Sequence, residues 1–488
     1  MNDSNQKRVC NEQTHQCIET SELIEKIRSN NPDLFHVISN NCISQQNLDD
    51  LGEGLETNTV LTTLIMNCDF SDGLNMWRFA KGLEINKTLQ ILDFSHCYIG
   101  SEQIKNLTDA LMINYTLREL DITNNKIFCR GAKYIAEMLE VNKGLRLLNM
   151  SGNPLCNEGV KYLSEALERN LSLEKLFMDD CRIDSNGAEF IADILHKNNT
   201  LKTLDVSANA LGLEGAAHLS NVLSLNSGLT ELNLSGCALG DIGIELLSQG
   251  LEINESLTCL NLYGNELCNR RYNDQEDEMM YLSRMLKNNK TLLTLILSNN
   301  DIRFKEIVLL SEALEVNGSL ESLNISYNEL HLDSMTPFCQ MLRINNTLKC
   351  LKLSHCYIQP DGAKKLFEVM MFNKSIVELD LSHNNIGCEG VSYLVKMLKC
   401  NNSLRSLDIS DNGLYDYPFK LLCNGLKSNN NLHEVTVRYN EISPEGVAYF
   451  YETLGEKLDS MTINLLPLKP VPFQNCEQEV SSDEMCSC

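Results

Sequence analysis

The chain lacks the features that mark several common protein classes. Of its 488 residues only Trp77 is a tryptophan, and aromatic residues make up 6% of the sequence. Its core must therefore be built mostly from aliphatic side chains. No run of 18 apolar residues occurs, so we expect no transmembrane helix and no membrane partner. Residues 1–10 carry no apolar stretch of a secretory signal, and we expect a cytoplasmic or nuclear protein that is not secreted.

Motifs of common enzymes and metal sites are also missing. The dipeptide Gly-Lys does not occur, which excludes a phosphate-binding P-loop. His433-Glu434 lacks the second histidine of a zinc-protease motif, and no Cys-x-x-Cys pair is found. We expect no catalytic residue, no cofactor and no metal. The twenty cysteines are spread along the chain, which favours reduced thiols over a disulfide framework.

Positive charge is scarce, with 41 basic against 66 acidic residues and a net charge of −25. Such a surface repels phosphate groups over a Debye length of about 10 Å. No run of Lys or Arg offsets this repulsion. We therefore expect neither nucleic acid nor an anionic membrane as a partner.

What the chain has in abundance is a block of the form LxxLxLxx(N/C)x(L/I), repeated every 28 residues. The blocks begin at Leu61, Leu89, Leu117, Leu145, Leu173, Leu201, Leu229, Leu257, Leu292, Leu320, Leu348, Ile376, Leu404 and Leu432, with a single step of 35 before Leu292. Within each block the apolar spacing changes from that of a strand to that of one helix face. A single strand–helix unit cannot bury its apolar face, so successive units must stack. The sequence predicts an α/β solenoid, shaped as a horseshoe, with a parallel sheet on the concave face and helices on the convex face.

The ninth block position is Asn or Cys. It is Asn at 125, 153, 209, 265, 300, 328, 384, 412 and 440, and Cys at 97, 181, 237 and 356. A side chain at this buried corner must satisfy loop backbone groups, which would be costly if left unpaired. We therefore predict a structural role for these four cysteines.

The blocks, with a Gly four residues after the (L/I) and a Leu-x-x-Asn ending, resemble the ribonuclease-inhibitor class of leucine-rich repeats over residues 34–465. That class includes the ribonuclease inhibitor, the Ran GTPase-activating protein and the repeat regions of innate immune receptors. The resemblance implies a protein-binding scaffold or adaptor without enzymatic activity. Alternatives are a GTPase activator of the Ran type, a ribonuclease inhibitor, or a structural subunit similar to one of the axonemal dynein regulatory complex. Ran-type activators carry a long acidic C-terminal run, whereas the acids of the tail here are only Glu477, Glu479, Asp483 and Glu484, which weakens the first alternative. Ribonuclease inhibitors are rich in Trp and Tyr on the binding face, and the scarcity of both on the expected wall weakens the second.

Atypical segments flank and interrupt the blocks. We expect disorder at 1–20, a capping helix and degenerate repeat at 21–60, fourteen repeats at 61–457, a capping strand at 458–473 and a disordered tail at 474–488. The seven extra residues fall near 269–280, in a charged segment that contains Arg270, Arg271 and Tyr272. This insertion is interpreted as a binding loop, or else as a tolerated loop or a helix extended by about two turns.

Block positions 3, 5 and 7 alternate with the buried leucines and are expected on the concave side. They carry ten acids, Asp93, Glu119, Asp121, Asp179, Asp205, Glu231, Glu378, Asp380, Asp408 and Glu434, against three bases, Lys175, Lys352 and Arg438. An acidic wall favours a protein partner with a basic surface, bound by a monomer of this chain. The alternative is that these residues form only a solvated ladder set by the repeat consensus.

Departures from the repeat pattern mark candidate binding residues. Apolar side chains surrounded by charge are typical of interaction hot spots. The candidates are Lys175, Phe177, Asp179, Asp180, Asp205, Tyr263 and Ile296, together with Arg270, Arg271 and Tyr272 of the insertion. A second candidate is Arg438 with Tyr439. His355 and His383 share block position 8 and are expected about 5 Å apart, as an exposed pair rather than a metal site.

Overall fold

A computed structural model describes residues 16–17, 20–32, 36–39, 43–66, 68–70, 73–268 and 279–466. These residues form two compact units. The first falls within 1–330 and 344–350, and the second within 331–343 and 351–488. The insertion residues 269–278, including Arg270, Arg271 and Tyr272, lie outside the part of the chain that the model describes.

Short strands recur once in every repeat. They are β1 (Gln16–Cys17), β2 (His36–Ser39), β3 (Thr63–Met66), β4 (Ile91–Asp93), β5 (Glu119–Asp121), β6 (Leu147–Asn149), β7 (Lys175–Phe177), β8 (Thr203–Asp205), β9 (Glu231–Asn233), β10 (Cys259–Asn261), β11 (Thr294–Ile296), β12 (Ser322–Asn324), β13 (Cys350–Lys352), β14 (Glu378–Asp380), β15 (Ser406–Asp408), β16 (Glu434–Thr436) and β17 (Thr462–Asn464).

A helix follows each strand except the last. The helices are α1 (Thr20–Arg28), α2 (Gln45–Thr57), α3 (Trp77–Ile85), α4 (Ser101–Leu111), α5 (Cys129–Val141), α6 (Cys156–Leu167), α7 (Ser185–Lys197), α8 (Gly212–Leu223), α9 (Gly240–Ile253), α10 (Met279–Asn288), α11 (Phe304–Val316), α12 (Leu332–Ile344), α13 (Gln359–Met370), α14 (Gly387–Cys400), α15 (Asp416–Ser428) and α16 (Pro444–Leu454).

The repeat that begins at Leu201 shows why the sequence folds in this way. Leu204 on β8 and Val206, which directly follows the strand, are fully buried. On α8, Leu219 and Leu223 are fully buried on one helix face. The strand and the helix thus cover the same apolar layer, as the change of period predicts. The strand–helix alternation in both units confirms the α/β leucine-rich-repeat solenoid.

The strands are parallel and in register within each unit. Leu120 pairs with Leu92 and Leu148 in the first unit. Leu407 pairs with Leu379 and Val435 in the second. Each side-chain position therefore recurs in neighbouring repeats as a continuous row along the sheet.

Asparagine at the ninth block position joins successive repeats behind the strands. Asn209 Nδ2 donates to the carbonyls of Met178 and Val206, both at 2.9 Å. Its Oδ1 accepts from the backbone N–H groups of Cys181 and Ile183, both at 3.0 Å. This asparagine therefore satisfies buried backbone groups of the preceding repeat, as the sequence predicts.

Cysteine at the ninth position uses a thiol for part of the same role. Cys181 Sγ lies 3.4 Å from the Met150 carbonyl oxygen, to which it donates weakly. Burial raises the pKa of the Cys181 thiol to about 12, and it does the same for Cys97 and Cys237. These cysteines and Cys356 are buried and free of disulfides, which confirms their structural role.

A second row of buried asparagines lies at the helix ends, where the sequence shows only a recurring Leu-x-x-Asn. Asn142 Nδ2 donates to the carbonyls of Leu111 and Asn114, at 2.6 and 3.0 Å. Its Oδ1 accepts from the backbone N–H groups of Gly144 and Leu145, both at 2.8 Å. We call the series that contains Asn86, Asn114, Asn142 and Asn401 the helix-end asparagines.

The glycine that recurs at the start of several helices, as at Gly215, stands where neighbouring helices approach closely. A Cβ on Gly215 would lie 2.8 Å from Leu211 Cβ and 3.1 Å from Ala188 Cβ. The recurring glycine is therefore a packing requirement. At the C-terminal end, Leu458 belongs to a 3-10 helix, Gly455–Ser460, and not to the expected capping strand. The strand begins later because the chain first leaves α16 through Gly455 at a φ of 47°.

Candidate partner-binding surface

The solvent side of the strands, formed by block positions 3 and 5, is called the sheet face here. Lys175 and Glu231 at position 3 are exposed, and Asp121 and Asp205 at position 5 are half-buried. These side chains lie opposite the buried leucines of the same strands. The first unit thus presents the charged row that the alternation of apolar positions predicts.

The expectation that position 7 also faces solvent is wrong for most of its serines. Those that are buried are Ser151, Ser207, Ser298, Ser326, Ser354, Ser382 and Ser410. The chain turns at this position, so that adjacent repeats enclose it. The carbonyl of Ser207 accepts from Asp180 N–H at 3.0 Å, and its hydroxyl donates to Asp205 Oδ1 at 2.6 Å.

The Asp or Asn at position 5 has a structural role that the sequence analysis missed. Asp205 Oδ1 accepts from Ser207 N–H at 2.9 Å, which closes the turn after the strand. Its Oδ2 accepts from Asn233 Nδ2 of the next repeat at 2.7 Å. The sequence feature that could have indicated this role is the recurrence of Asp or Asn at position 5, two residues before the turn. The repeat consensus therefore accounts for part of the acidic row.

Neighbouring carboxylates on the sheet face nevertheless repel one another, which disfavours their charged forms. Burial raises the pKa of Asp121, and the neighbouring Asp93 raises it further. Burial also raises the pKa of Asp179, and Asp205 adds to that shift. Among the residues with described positions, neither Asp121 nor Asp179 forms an ion pair with Lys or Arg.

Five predicted binding residues come together on β7, in the turn that follows it, and on β8. Phe177 pairs in register with Asp205, so the two side chains are neighbours on the sheet face. Lys175 and Asp180 are exposed, whereas Phe177 and Asp179 are half-buried. Phe177 is thus a partly covered apolar surface bordered by charge, and not the freely exposed side chain that was expected. The cluster of these five residues is called the Phe177 patch.

Tyr263 and Ile296 lie apart from the Phe177 patch. Ile296 on β11 pairs in register with Asn261, and Tyr263 follows β10. Both side chains are half-buried because neighbouring strands crowd them. Strand β9 separates the two groups, at a strand spacing of about 4.8 Å.

In the second unit, Arg438 and Tyr439 are exposed. His355 and His383 stack with their ring centroids 3.9 Å apart and 13° between the ring planes. Burial lowers the pKa of His355, and His383 lowers it further. His383 Nδ1 lies 2.9 Å from Asp411 Oδ2, at the edge of an open depression of about 390 Å³.

In the described part of the chain, no group of three or more His, Cys, Asp or Glu side chains is placed to hold a metal ion. No helix among the same residues has the length and apolar character needed to cross a membrane.

Comparisons with known proteins identify the repeats. A family model described as the MHP1/HER1/GIP3 LRR domain matches residues 151–440. A second model, described as Leucine Rich repeat, matches residues 86–102 and 114–136. No curated protein matches the chain.

Two solved structures are similar to the chain at low identity. A chain of the Rad7 and Elc1 complex in yeast is 16% identical, with 91% of each chain covered and a TM-score of 0.48. The leiomodin-1 actin-binding site 2 is 22% identical and covers 32% of this chain and 91% of its own, with a TM-score of 0.29.

Proposed function

Because the chain belongs to the MHP1/HER1/GIP3 leucine-rich-repeat family, we propose that it is a non-enzymatic scaffold that binds a partner protein through the acidic sheet face. Leucine-rich-repeat arrays typically offer extended surfaces for protein binding. The partner has a basic surface, and this chain binds it as a monomer in the cytoplasm or nucleus. The 28-residue steps and Asn-x-(Thr/Ser)-Leu junctions resemble those of leucine-rich repeat-containing protein 34, which is consistent with that location.

The observation that carries this proposal is the crowding of carboxylates around the Phe177 patch. Asp179 and Asp205 repel each other, and burial weakens the hydration of Asp179. A basic side chain of the partner relieves this repulsion at little further cost in desolvation. Phe177 supplies the apolar contact area that charge alone does not provide.

The test compares two matched double variants as baits. Asp179→Asn/Asp205→Asn removes charge from the sheet face and keeps side chains of nearly the same shape. Glu189→Gln/Glu214→Gln removes the same charge from the exposed side of α7 and α8 in the same repeats. We expect a basic protein captured by the wild type to be lost from the first variant and retained by the second.

A further variant, Phe177→Ala/Tyr263→Ala, separates the apolar contribution from the charge. Loss of the same partner supports the Phe177 patch as its centre. If all baits retain the same proteins to the same extent, the sheet face is not the binding surface and the proposal fails. The insertion at 269–278 and the helix side then become the places to examine.

A further inference from the structure

One edge of the first unit combines exposed apolar side chains with basic ones. In or just after the last turn of α3, α4 and α5, Ile85, Ile113 and Val141 occupy equivalent repeat positions and are 51%, 56% and 45% exposed. The loop after α4 adds Tyr115, and the loop after α6, the helix next to α5, adds Leu171; these side chains are 47% and 68% exposed. Three neighbouring helices thus end in side chains that would favour burial.

The helix-end asparagines fix these apolar side chains in a row. Asn114 Nδ2 donates to the Asn86 carbonyl at 2.8 Å, and Asn142 Nδ2 donates to the Asn114 carbonyl at 3.0 Å. Each apolar residue directly precedes one of these asparagines. Packed helices lie about 8–10 Å apart, so the row extends for roughly 20 Å.

Basic side chains flank the row. Lys87 and Lys143 each follow a helix-end asparagine and are exposed. Arg118 Nη1 donates to the Gly144 carbonyl at 2.9 Å, which holds its guanidinium beside Lys143. In the described part of the chain none of these three bases forms an ion pair. The nearby Arg146 does form one, since its Nε lies 3.7 Å from Glu174 Oε1.

The carboxylates of the same edge already have partners. Glu84 pairs with Lys81, at 2.7 Å. Glu140 and Glu168 pair with Arg169 and Lys197, both at 3.2 Å. The edge therefore retains positive charge on a chain whose net charge is −25. We call the surface formed by Ile85, Lys87, Ile113, Arg118, Val141 and Lys143 the basic edge.

We propose that the basic edge binds an amphipathic helix of a partner protein that carries acidic residues beside its apolar face. Two turns of an α-helix advance about 10.5 Å, which matches the separation of the packed helices beneath the row. Apolar residues seven apart on the bound helix contact Ile85, Ile113 and Val141 in turn. Acidic residues beside them contact Lys87, Arg118 and Lys143.

The acidic net charge of the chain favours the basic edge over most of the surface for such a helix. Elsewhere the acidic protein repels an acidic segment, while the basic edge attracts it. The surface is separate from the sheet face and takes a partner of the opposite charge. The inference therefore does not depend on the proposed function.

The test is selection from a random display library of peptides about 18 residues long, which as helices span about 27 Å. The bait is the full chain, and the counter-selection uses Lys87→Glu/Val141→Ser. We expect enriched peptides with apolar residues seven apart and a net negative charge. An enriched peptide is then measured by fluorescence anisotropy, and its affinity for the variant falls about tenfold or more.

The control is Ile253→Ser. Ile253 is 64% exposed at the equivalent helix end, but Glu255 occupies the position that Lys87 and Lys143 have in the basic edge. It should leave the affinity unchanged. The proposal is overturned if enriched peptides are basic or extended, if none survives counter-selection, or if Ile253→Ser weakens binding as much as the test variant. It is also overturned if phosphatidylserine vesicles bind at this edge and the acidic peptide does not.

Discussion

The helix-end asparagines allow a sharp test of how this fold is stabilised, because Asn401 and Asn402 are adjacent in the chain and differ in burial. Asn401 is 4% exposed. Its Nδ2 donates to the Met370 and Asn373 carbonyls at 2.7 and 3.1 Å. Its Oδ1 accepts from the backbone N–H groups of Ser403 and Leu404 at 3.0 and 2.9 Å. Asn402 is exposed.

Asn401→Ala removes these four hydrogen bonds to the backbone and leaves their backbone partners without them in a buried corner. At about 1 kcal/mol for each bond, the free energy of unfolding should fall by about 4 kcal/mol. Asn402→Ala removes the same side chain from the surface and should change it by less than about 0.5 kcal/mol.

Urea denaturation followed by circular dichroism measures both variants against the wild type. A shift of the unfolding midpoint for Asn401→Ala alone supports the reasoning. If the two substitutions shift the midpoint equally, or neither does, the helix-end asparagines do not stabilise the stack and the calculation is refuted.

Three further predictions concern other groups of the chain. Cys181 should react with a disulfide reagent far more slowly than the exposed Cys156 near neutral pH, because burial keeps its thiol protonated; equal rates, measured by mass spectrometry of the labelled peptides, would contradict the assigned burial. Gly390→Ala should lower the free energy of unfolding by about 1–3 kcal/mol, since its Cβ would lie 2.3 Å from Ile386 Cγ2; an unchanged urea midpoint would show that the Ile386 side chain can move aside without loss of packing. The pKa of Asp121 is raised in the folded state from its ordinary value of 3.8, so the folded chain binds this proton more tightly and stability declines as pH rises from 3.8 through the folded pKa. Asp121→Asn removes that decline and should raise the thermal midpoint at neutral pH but not in acid; a lower midpoint at neutral pH would mean that the carboxylate is net stabilising.

The fold could be predicted from the sequence because its cause is periodic. Leucine spacing fixes which face of each strand and helix is buried, and the 28-residue step fixes how the units stack. The role of Asn209 could be predicted for the same reason, since a polar residue at a buried corner must find backbone partners. The role of Asn142 could not, because recurrence shows that a residue matters but not which carbonyls it meets.

The composition of the sheet face and of the basic edge was harder to predict from the sequence than the fold. Alternation predicts that Ser207 faces solvent, but the turn after the strand encloses it, because strict alternation ends where the strand ends. Lys87, Arg118 and Lys143 are separated by about one repeat and form no run in the sequence. Only the stacking of repeats brings such residues side by side, so a search for clustered bases along the chain fails.

In both rows, the asparagine side chain donates to carbonyl groups of the preceding repeat. This direction has a consequence for the growth of repeat arrays by gene duplication. Asn209 and Asn142 each satisfy backbone groups of the repeat before them. A duplicated 28-residue segment therefore carries its own connection to whatever precedes it. Even the longer step keeps this connection, since Asn289 Nδ2 donates to the Asn254 carbonyl at 3.2 Å across 35 residues. Changes in repeat length are consequently tolerated between a strand and its helix, and the number of repeats can change without redesign of the junctions.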